Sequence, residues 1–115
     1  SSGLRGYSNE EAILALLGES SSEPQCFKQI AYTLRNRGTL KGVYGLNNPV
    51  AKKASGRLYQ KASKAWFDSA NGVDISNGAN HFHNVEREGA AWWQDECKVV
   101  SRCGVHSFSS CQWKN

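Results

Sequence analysis

The segment Gly18-Glu19-Ser20-Ser21-Ser22-Glu23-Pro24 places an acidic residue between two stretches that have helical periodicity. The first helix is predicted over residues 8–17, because Ser8 and Glu11 have the spacing of a capping box and a wide apolar face follows them. A second helix is predicted to begin at Pro24, since proline is tolerated in a first helical turn. Its apolar residues recur on one face: Phe27, Ile30, Ala31 and Leu34. The segment is therefore predicted to be a short polar link between two helices that are each buried on one side.

Glu19 is expected at the end of the first helix, where it borders the cleft between the two helices. Partial desolvation at such a position raises the pKa of a carboxyl group, and a general acid that works near neutral pH needs a raised pKa. The alternative is that Glu19 is a solvated residue at a helix end, and the helical pattern alone favours this alternative.

Length and charge limit the class of protein. A chain of 115 residues forms one domain, and it contains no apolar run long enough to span a bilayer. Fourteen Lys and Arg against ten Asp and Glu give a net charge of +4, which favours anionic partners such as nucleic acid or a bacterial cell wall. Five basic residues fall along one predicted helix, which is typical of a solvated helix face: Lys52, Lys53, Arg57, Lys61 and Lys64.

Four cysteines, Cys26, Cys97, Cys103 and Cys111, predict two disulfides and an oxidising compartment. They lack the C-x-x-C pairs of structural zinc sites. If all four pair, Cys26 joins one of the other three. An extended chain from Cys103 to Cys111 would span roughly 26 Å, whereas bridged Cα atoms lie within about 7 Å. Cys97 is therefore expected to pair with Cys103 or with Cys111.

Gly38 is expected to end the second helix, and the glycine-rich residues 39–48 are predicted to form a loop that exposes Val43, Tyr44 and Leu46. A third helix is predicted to run from Pro49, capped by Asn48, to about Ala70. Its inward residues are expected to be Val50, Ala54, Leu58, Ala62, Ala65 and Trp66.

From residue 78 onward, the helical periodicity gives way to short alternating stretches. Residues 78–84 and 98–110 alternate polar and apolar side chains. Residues 85–96, with Trp92 and Trp93, are predicted to form a short helix or turn between them. The sequence thus predicts an α+β chain with three main helices and a small antiparallel β-hairpin.

Four motifs occur in a fixed order along the chain. They are Gly-Glu-x-x-x-Glu at residues 18–23, Asn36-Arg37, Gly-Ala-Asn-His-Phe-His-Asn at residues 78–84, and Gly-x-His-x-Phe at residues 104–108. In these motifs, and in a tryptophan between the last two, the chain resembles the cell wall hydrolase family typified by the spore cortex-lytic enzymes, over Tyr7 to Phe108. It departs from the family pattern at Ser20-Ser21-Ser22, at the two histidines around Phe82, and in a shortened middle region.

This resemblance implies a lysozyme-like fold that cuts the glycan strand of peptidoglycan with Glu19 as the acid, in many relatives by lytic transglycosylation. It also implies a single catalytic domain over residues 7–115, preceded by a flexible tail over residues 1–6. The expected location is secreted or cell-wall associated. We expect a monomer that binds peptidoglycan glycan strands, with no cofactor or metal, no nucleic acid partner and no membrane span.

The reaction type depends on a second carboxylate. A hydrolase needs one to act as nucleophile or to activate water. The candidates are Glu23, Asp68 and Asp74, and for each a solvated surface or a helix cap is the more common role. With one carboxylate, the C6 hydroxyl of the muramic acid attacks instead, and the product is a 1,6-anhydro sugar. With two, the protein is a hydrolytic muramidase.

Further residues are predicted to contact the glycan: Glu23, Tyr44, His81, His83, Trp92 and His106. His81 and His83 share one face of a strand, and His106 is expected on the neighbouring strand. Trp92, Trp93 and Trp113 are natural stacking surfaces for sugars, although a large aromatic side chain is more often buried. Two alternatives remain: a zinc-dependent amidase that uses the three histidines as ligands, and a non-catalytic module that binds cell wall or nucleic acid.

Overall fold

A computed structural model describes residues 7–40, 43, 49–84 and 96–112. The helices are α1 (Asn9–Ser20), a short 3₁₀ helix (Pro24–Cys26), α2 (Phe27–Arg37), α3 (Pro49–Lys52) and α4 (Gly56–Asp68). The strands are β1 (His81–Asn84), β2 (Cys97–Cys103) and β3 (His106–Cys111). Within these ranges, no helix is both long and apolar enough to cross a bilayer.

The capping box at the start of α1 is confirmed. The backbone amide of Glu11 donates to Ser8 Oγ over 3.2 Å, and the amide of Ser8 donates to Glu11 Oε1 over 2.9 Å. These two bonds satisfy amides that have no partner inside a helix. The helix runs to Ser20, three residues beyond the predicted end, so Glu19 lies inside its last turn.

The second helical region has two parts. Pro24 opens a single 3₁₀ turn, and α2 follows directly from Phe27. The four apolar residues predicted on one face of α2 are all buried. Gly38 ends the helix with φ of 76°, a left-handed conformation that glycine adopts without steric cost, and its amide bonds the carbonyl of Leu34. The predicted stop at Gly38 is confirmed.

The single third helix predicted from Pro49 to about Ala70 is wrong. It consists of α3 and α4, and the chain breaks between them because Ser55 caps a new helix, its Oγ accepting from the amide of Leu58 over 3.2 Å. Val50 was expected inside but is 50% exposed. The predicted exposure of Val43 is also wrong, since its side chain is 8% exposed and belongs to the core. Ala62, Ala65 and Trp66 are buried as predicted.

Trp66 is the centre of the helical layer. Its side chain is fully buried, its Nε1 donates to Asn9 Oδ1 over 2.9 Å, and its ring meets the ring of Tyr7 edge-on. The guanidinium of Arg35 lies 3.8 Å from the centre of the Trp66 ring and donates to the Trp66 carbonyl over 2.7 Å. Cation–π contact and a charge-assisted hydrogen bond therefore join α2 to α4.

The sheet has three antiparallel strands in the order β1-β3-β2 rather than a hairpin alone. The predicted antiparallel pairing of residues 78–84 with residues 98–110 is present as β1 and β3. The second stretch is not one strand, however, because a turn at Gly104 divides it into β2 and β3, which pair with each other. One face packs on the helices. On that face Phe108 is fully buried and Ser101 accepts a hydrogen bond from Gln29 of α2 over 2.8 Å.

Two disulfides are present, Cys26–Cys103 and Cys97–Cys111, and no described cysteine is free. Both agree with the predicted pairing, in which Cys26 joins a C-terminal cysteine and Cys103 does not join Cys111. Cys97–Cys111 links two strands that are neighbours in the sheet. Cys26–Cys103 links the 3₁₀ helix to the end of β2, so it is the covalent connection between the helical layer and the sheet.

The two disulfides should differ in their contribution to stability. Cys26–Cys103 closes a loop with a sequence separation of 77, and Cys97–Cys111 one of 14. Because a longer loop loses more entropy on closure, C26A/C103A should lower the free energy of unfolding by about 4 kcal/mol and C97A/C111A by about 3 kcal/mol. Urea unfolding of both double variants measures this. A larger loss for C97A/C111A would contradict the assignment of Cys26–Cys103 as the main cross-link.

Candidate active site

Glu19 is the penultimate residue of α1, between two buried neighbours. Gly18 and Ser20 are buried, and the Glu19 side chain is half-buried. The apolar face of α1 fixes this position, because Leu16 and Leu17 are both fully buried and hold the last turn of the helix in the core. The expected location of Glu19, at the boundary between a buried helix and its link to the next, is therefore what the structure has.

The link that follows Glu19 is a hydrogen-bonded turn. The amide of Glu23 donates to the carbonyl of Ser20 over 3.0 Å, and Ser20 Oγ donates to the carbonyl of Glu23 over 2.8 Å. Ser21 Oγ also donates to the carbonyl of Leu17. The serines therefore satisfy backbone groups at the helix end that would otherwise lack partners. They give the link a defined conformation.

Glu23 contacts the turn between β2 and β3. Its Oε1 accepts a hydrogen bond from the amide of Val105 over 3.3 Å. Gly104 has φ of 57°, and a Cβ atom at this position would overlap the Glu23 carboxylate. Glycine favours this backbone conformation, and its missing Cβ leaves the space that the Glu23 carboxylate occupies. Beside this contact, the Cys26–Cys103 disulfide joins the same two segments.

Strand register brings one end of the sheet to this junction. Asn84 pairs with His106, and His106 pairs with Cys103, so all three lie at the end of the sheet that the disulfide fixes. His106 belongs to the face that packs on the helices, where its ring lies 5.9 Å from that of Phe82 and 6.3 Å from that of Phe108. Among the three histidines, His106 is thus nearest in register to the turn that Glu23 contacts.

His81 and His83 lie on the other face of the sheet. They pair with Ser109 and Ser107 respectively, and side chains directly opposite in an antiparallel pair share a face. The predicted common face of His81 and His83 is confirmed, and so is the placement of His106 on the neighbouring strand. The three histidines do not converge, however, because His106 is on the opposite face.

This geometry bears on the zinc alternative. A catalytic zinc site draws three protein ligands around one ion, and side chains on opposite faces of a strand cannot do so together. Among the described residues, no group of three His, Cys, Asp or Glu side chains is placed to hold a metal ion.

The hydrogen bond between Asn80 and His81 determines which ring nitrogen of His81 carries the proton. The Asn80 amide is oriented by two bonds to Cys111, with Nδ2 donating to the carbonyl and Oδ1 accepting from the backbone amide, each over 2.9 Å. The atom that lies 2.8 Å from His81 Nδ1 is therefore the oxygen, which only accepts. Nδ1 must carry the proton and donate. Burial and the nearby charge of Arg37 lower the pKa of His81 to about 4, so its ring is neutral at pH 7.

Asp74 organises the loop that leads into β1. Its Oδ1 accepts from the amide and the hydroxyl of Ser76, and its Oδ2 accepts from the amide of Gly78 and from Asn36 Nδ2. Burial alone would raise the pKa of Asp74, but these hydrogen bonds outweigh it and the net pKa lies below the usual range. Asn36 Nδ2 also donates to the carbonyl of Ala79 over 2.9 Å, so this motif residue ties α2 to the loop.

Asp68 lies on the surface at the end of α4. It pairs with Lys64 one helical turn earlier, with 2.7 Å between Nζ and Oδ2. Exposed pairs of this kind contribute little stability. Asp68 therefore fits the solvated role that the sequence favoured.

Four aromatic candidates, Tyr44, Trp92, Trp93 and Trp113, fall outside the described residues. Their predicted contacts with sugar rings stay predictions. Two residues with structural contacts had no such prediction, the buried Arg37 and the exposed Gly104. Arg37 was seen only as part of a motif, and Gly104 only as the first residue of another; their roles depend on contacts with residues distant in sequence.

Among solved structures, the chain is similar to the catalytic domain of the germination-specific lytic transglycosylase SleB from Bacillus anthracis. The two share 25% sequence identity with a TM-score of 0.61, over 91% of this chain and 98% of that chain. No protein-family model matches the chain, and none of the curated proteins matches it. Since the likeness covers almost all of both chains, the expected lysozyme-like α+β fold is confirmed.

The low pKa of His81 predicts a pH-dependent stability. An unfolded histidine binds a proton below about pH 6.5, whereas folded His81 binds one only below about pH 4. Between these pH values the unfolded state holds the extra proton, so stability falls as the pH falls. His81→Gln keeps an N–H for Asn80 but does not titrate, and its free energy of unfolding should fall less steeply from pH 6.5 to 4. Urea unfolding at several pH values tests this, and parallel curves for both proteins would contradict it.

Proposed function

We propose that this protein is a peptidoglycan-cleaving glycosidase. It cuts the β-1,4 bond between N-acetylmuramic acid and N-acetylglucosamine, and it does so as a lytic transglycosylase with Glu19 as general acid and then general base. The observation that carries this proposal is the position of Glu19 in the last turn of α1, in a chain whose structural likeness extends over 98% of a lytic transglycosylase catalytic domain.

Glu19 has the environment that proton donation needs. Its side chain is half-buried, and it lies at the carboxyl end of a helix, where the helix dipole is negative. The buried leucines and the hydrogen-bonded serine turn fix the backbone on either side of it, which supports a fixed geometry for proton transfer.

The reaction proceeds in two steps. Glu19 donates its proton to the glycosidic oxygen, the bond from this oxygen to C1 of the muramic acid breaks, and positive charge develops at C1. The C6 hydroxyl of the same sugar then attacks C1 and gives its proton to the Glu19 carboxylate. The product ends in 1,6-anhydro-N-acetylmuramic acid, no water is consumed, and Glu19 returns to its starting form.

The environments of the other candidate acids support a mechanism with one carboxylate. Asp68 is exposed and paired with Lys64, Asp74 accepts hydrogen bonds that build a loop, and Glu23 accepts the amide of Val105. Each has a structural partner, although only Asp68 has the solvated role that the sequence favoured for all three. Because intramolecular attack needs no activated water, proximity of the C6 hydroxyl suffices.

The proposal also covers the glycan contacts, the oligomeric state, the catalytic domain and the location of the enzyme. Glycan contacts are assigned to Glu23, Tyr44, His81, His83, Trp92 and His106. Among the described histidines, His106 lies nearest to the Glu23 contact, at the end of the sheet, and its side chain is buried as are those of His81 and His83. The enzyme is a monomer, its catalytic domain is residues 7–115, and it needs no cofactor. Two disulfides support a secreted or cell-wall location, since such bonds persist in oxidising compartments.

Glu19→Gln tests the assignment directly. The amide keeps the shape of the side chain but cannot donate or accept the proton, so cleavage of purified peptidoglycan should fall by about 10²- to 10⁴-fold. The midpoint of thermal unfolding should stay close to that of the wild type. Glu96→Gln is the control, because Glu96 is an exposed acid at the start of β2. Retention of near wild-type activity by Glu19→Gln would show that another residue is the acid.

A further inference from the structure

A groove lies between α4 and the segment that begins at Pro24, directly after Glu23, and continues into α2. It has a volume of about 570 Å³, and its apolar lining includes Pro24 and Ala65. This volume falls within the range of about 300–1,000 Å³ that is usual for ligand sites. The groove is open to solvent at its rim, where the side chains of Lys28, Lys61 and Lys64 are exposed.

The rim of the groove is positively charged. Of the described residues that line it, three are lysines and one is an aspartate, which gives a formal charge of +2 against a net charge of +4 for the chain. Lys61 and Lys64 come from α4, and Lys28 comes from α2, so packing of the two helices creates the cluster. Asp68 lies between two of these lysines, paired with Lys64 and within the electrostatic influence of Lys28. The groove thus already holds one carboxylate of its own chain.

We infer that this groove binds the acidic peptide that peptidoglycan carries on its muramic acid residues; the inference rests on the proposed function. Such a peptide has free carboxylates, a polar backbone and small apolar side chains. Lys28 and Lys61 would pair with the carboxylates, the Gln25 side-chain amide would bond the peptide backbone, and Pro24 and Ala65 would contact the methyl groups.

The position of the groove fits this ligand. The peptide is attached to the sugar that is cleaved, so its start lies close to Glu19. The hydrogen-bonded turn keeps Ser20 and Glu23 within about 7 Å of each other, and Pro24 at the groove follows directly. An extended peptide of four residues spans about 13 Å, which is longer than the distance along the turn from Ser20 to Pro24. The groove would therefore favour glycan strands that retain their peptides.

The type of cation also favours this ligand. Lysine ammonium groups are point charges that bind single carboxylates without a fixed geometry. None of the described residues that line the groove is an arginine, which would form a two-pronged contact. Moderate, salt-dependent affinity is expected, because all three lysines are exposed.

Calorimetric titration with the tetrapeptide released from peptidoglycan by an amidase tests this inference without any turnover. The wild type should bind the peptide, and added salt should weaken binding. K28Q/K61Q should bind about three- to tenfold more weakly, since it loses two exposed ion contacts. Asp68→Asn should bind more tightly, because it removes the competing carboxylate. The control is K52Q/K53Q, which loses the same charge from two exposed residues away from the groove and should bind like the wild type.

Three results would overturn the inference: no measurable binding of the tetrapeptide, an equal loss of affinity in both double variants, or tighter binding of a phosphodiester polymer than of the peptide at the same lysines. The proposed function would fail separately. If the wild type cleaves peptidoglycan but does not bind the peptide, only the groove assignment is wrong. If it binds the peptide but cleaves no glycan, only the enzymatic proposal is wrong.

Discussion

The contact between the α1 link and the turn from β2 to β3 holds the two halves of this fold together. Glu23 accepts the amide of Val105, and the Cys26–Cys103 disulfide joins the same two segments a few residues away. The Glu23 contact is electrostatic, and Gly104 beside it leaves space for the carboxylate. The disulfide is a covalent bond that closes a long loop. Because both act on the short link after Glu19, the position of the candidate acid relative to the sheet depends on them.

The helical layer fixes the other side of the same residue. Trp66 lies beneath α1 and bonds its first turn through Asn9, while Arg35 covers the Trp66 ring and bonds the end of α4. Helix α1 is therefore held along its length by packing and at its end by the serine turn. A catalytic group on such an element needs no rearrangement to keep its geometry, which is what general acid catalysis requires.

Local patterns in the sequence predicted local structure well. The Ser8 capping box, the Gly38 stop and the buried face of α2 each depend on residues within a few positions, and all three are confirmed. The sequence predicts a single third helix because its apolar spacing continues across the break between α3 and α4. The cap formed by Ser55 competes with that spacing, and the side-chain hydrogen bond prevails.

Local sequence patterns do not predict features that depend on contacts between distant parts of the chain. Alternation placed His81 and His83 on one face, but only the pairing register shows that His106 points to the other. The five basic residues predicted along one helix are exposed as expected, but Lys52 and Lys53 lie outside α4. That Lys28 of α2 joins Lys61 and Lys64 at one groove depends on how the helices pack. The position of Glu19 was predictable in outline, since the helix and the link both have local signals, whereas the Glu23 contact with Val105 joins residues 82 positions apart.

The central claim, that one carboxylate performs the cleavage by intramolecular attack, is tested most directly by the mass of the products. Peptidoglycan digested by the purified protein is separated into muropeptides and analysed by mass spectrometry. The expected fragments end in 1,6-anhydro-N-acetylmuramic acid and are lighter by one water, about 18 Da, than hydrolysed fragments, because no water takes part. Fragments with chiefly reducing ends would contradict it and would mean that a second acid activates water opposite Glu19.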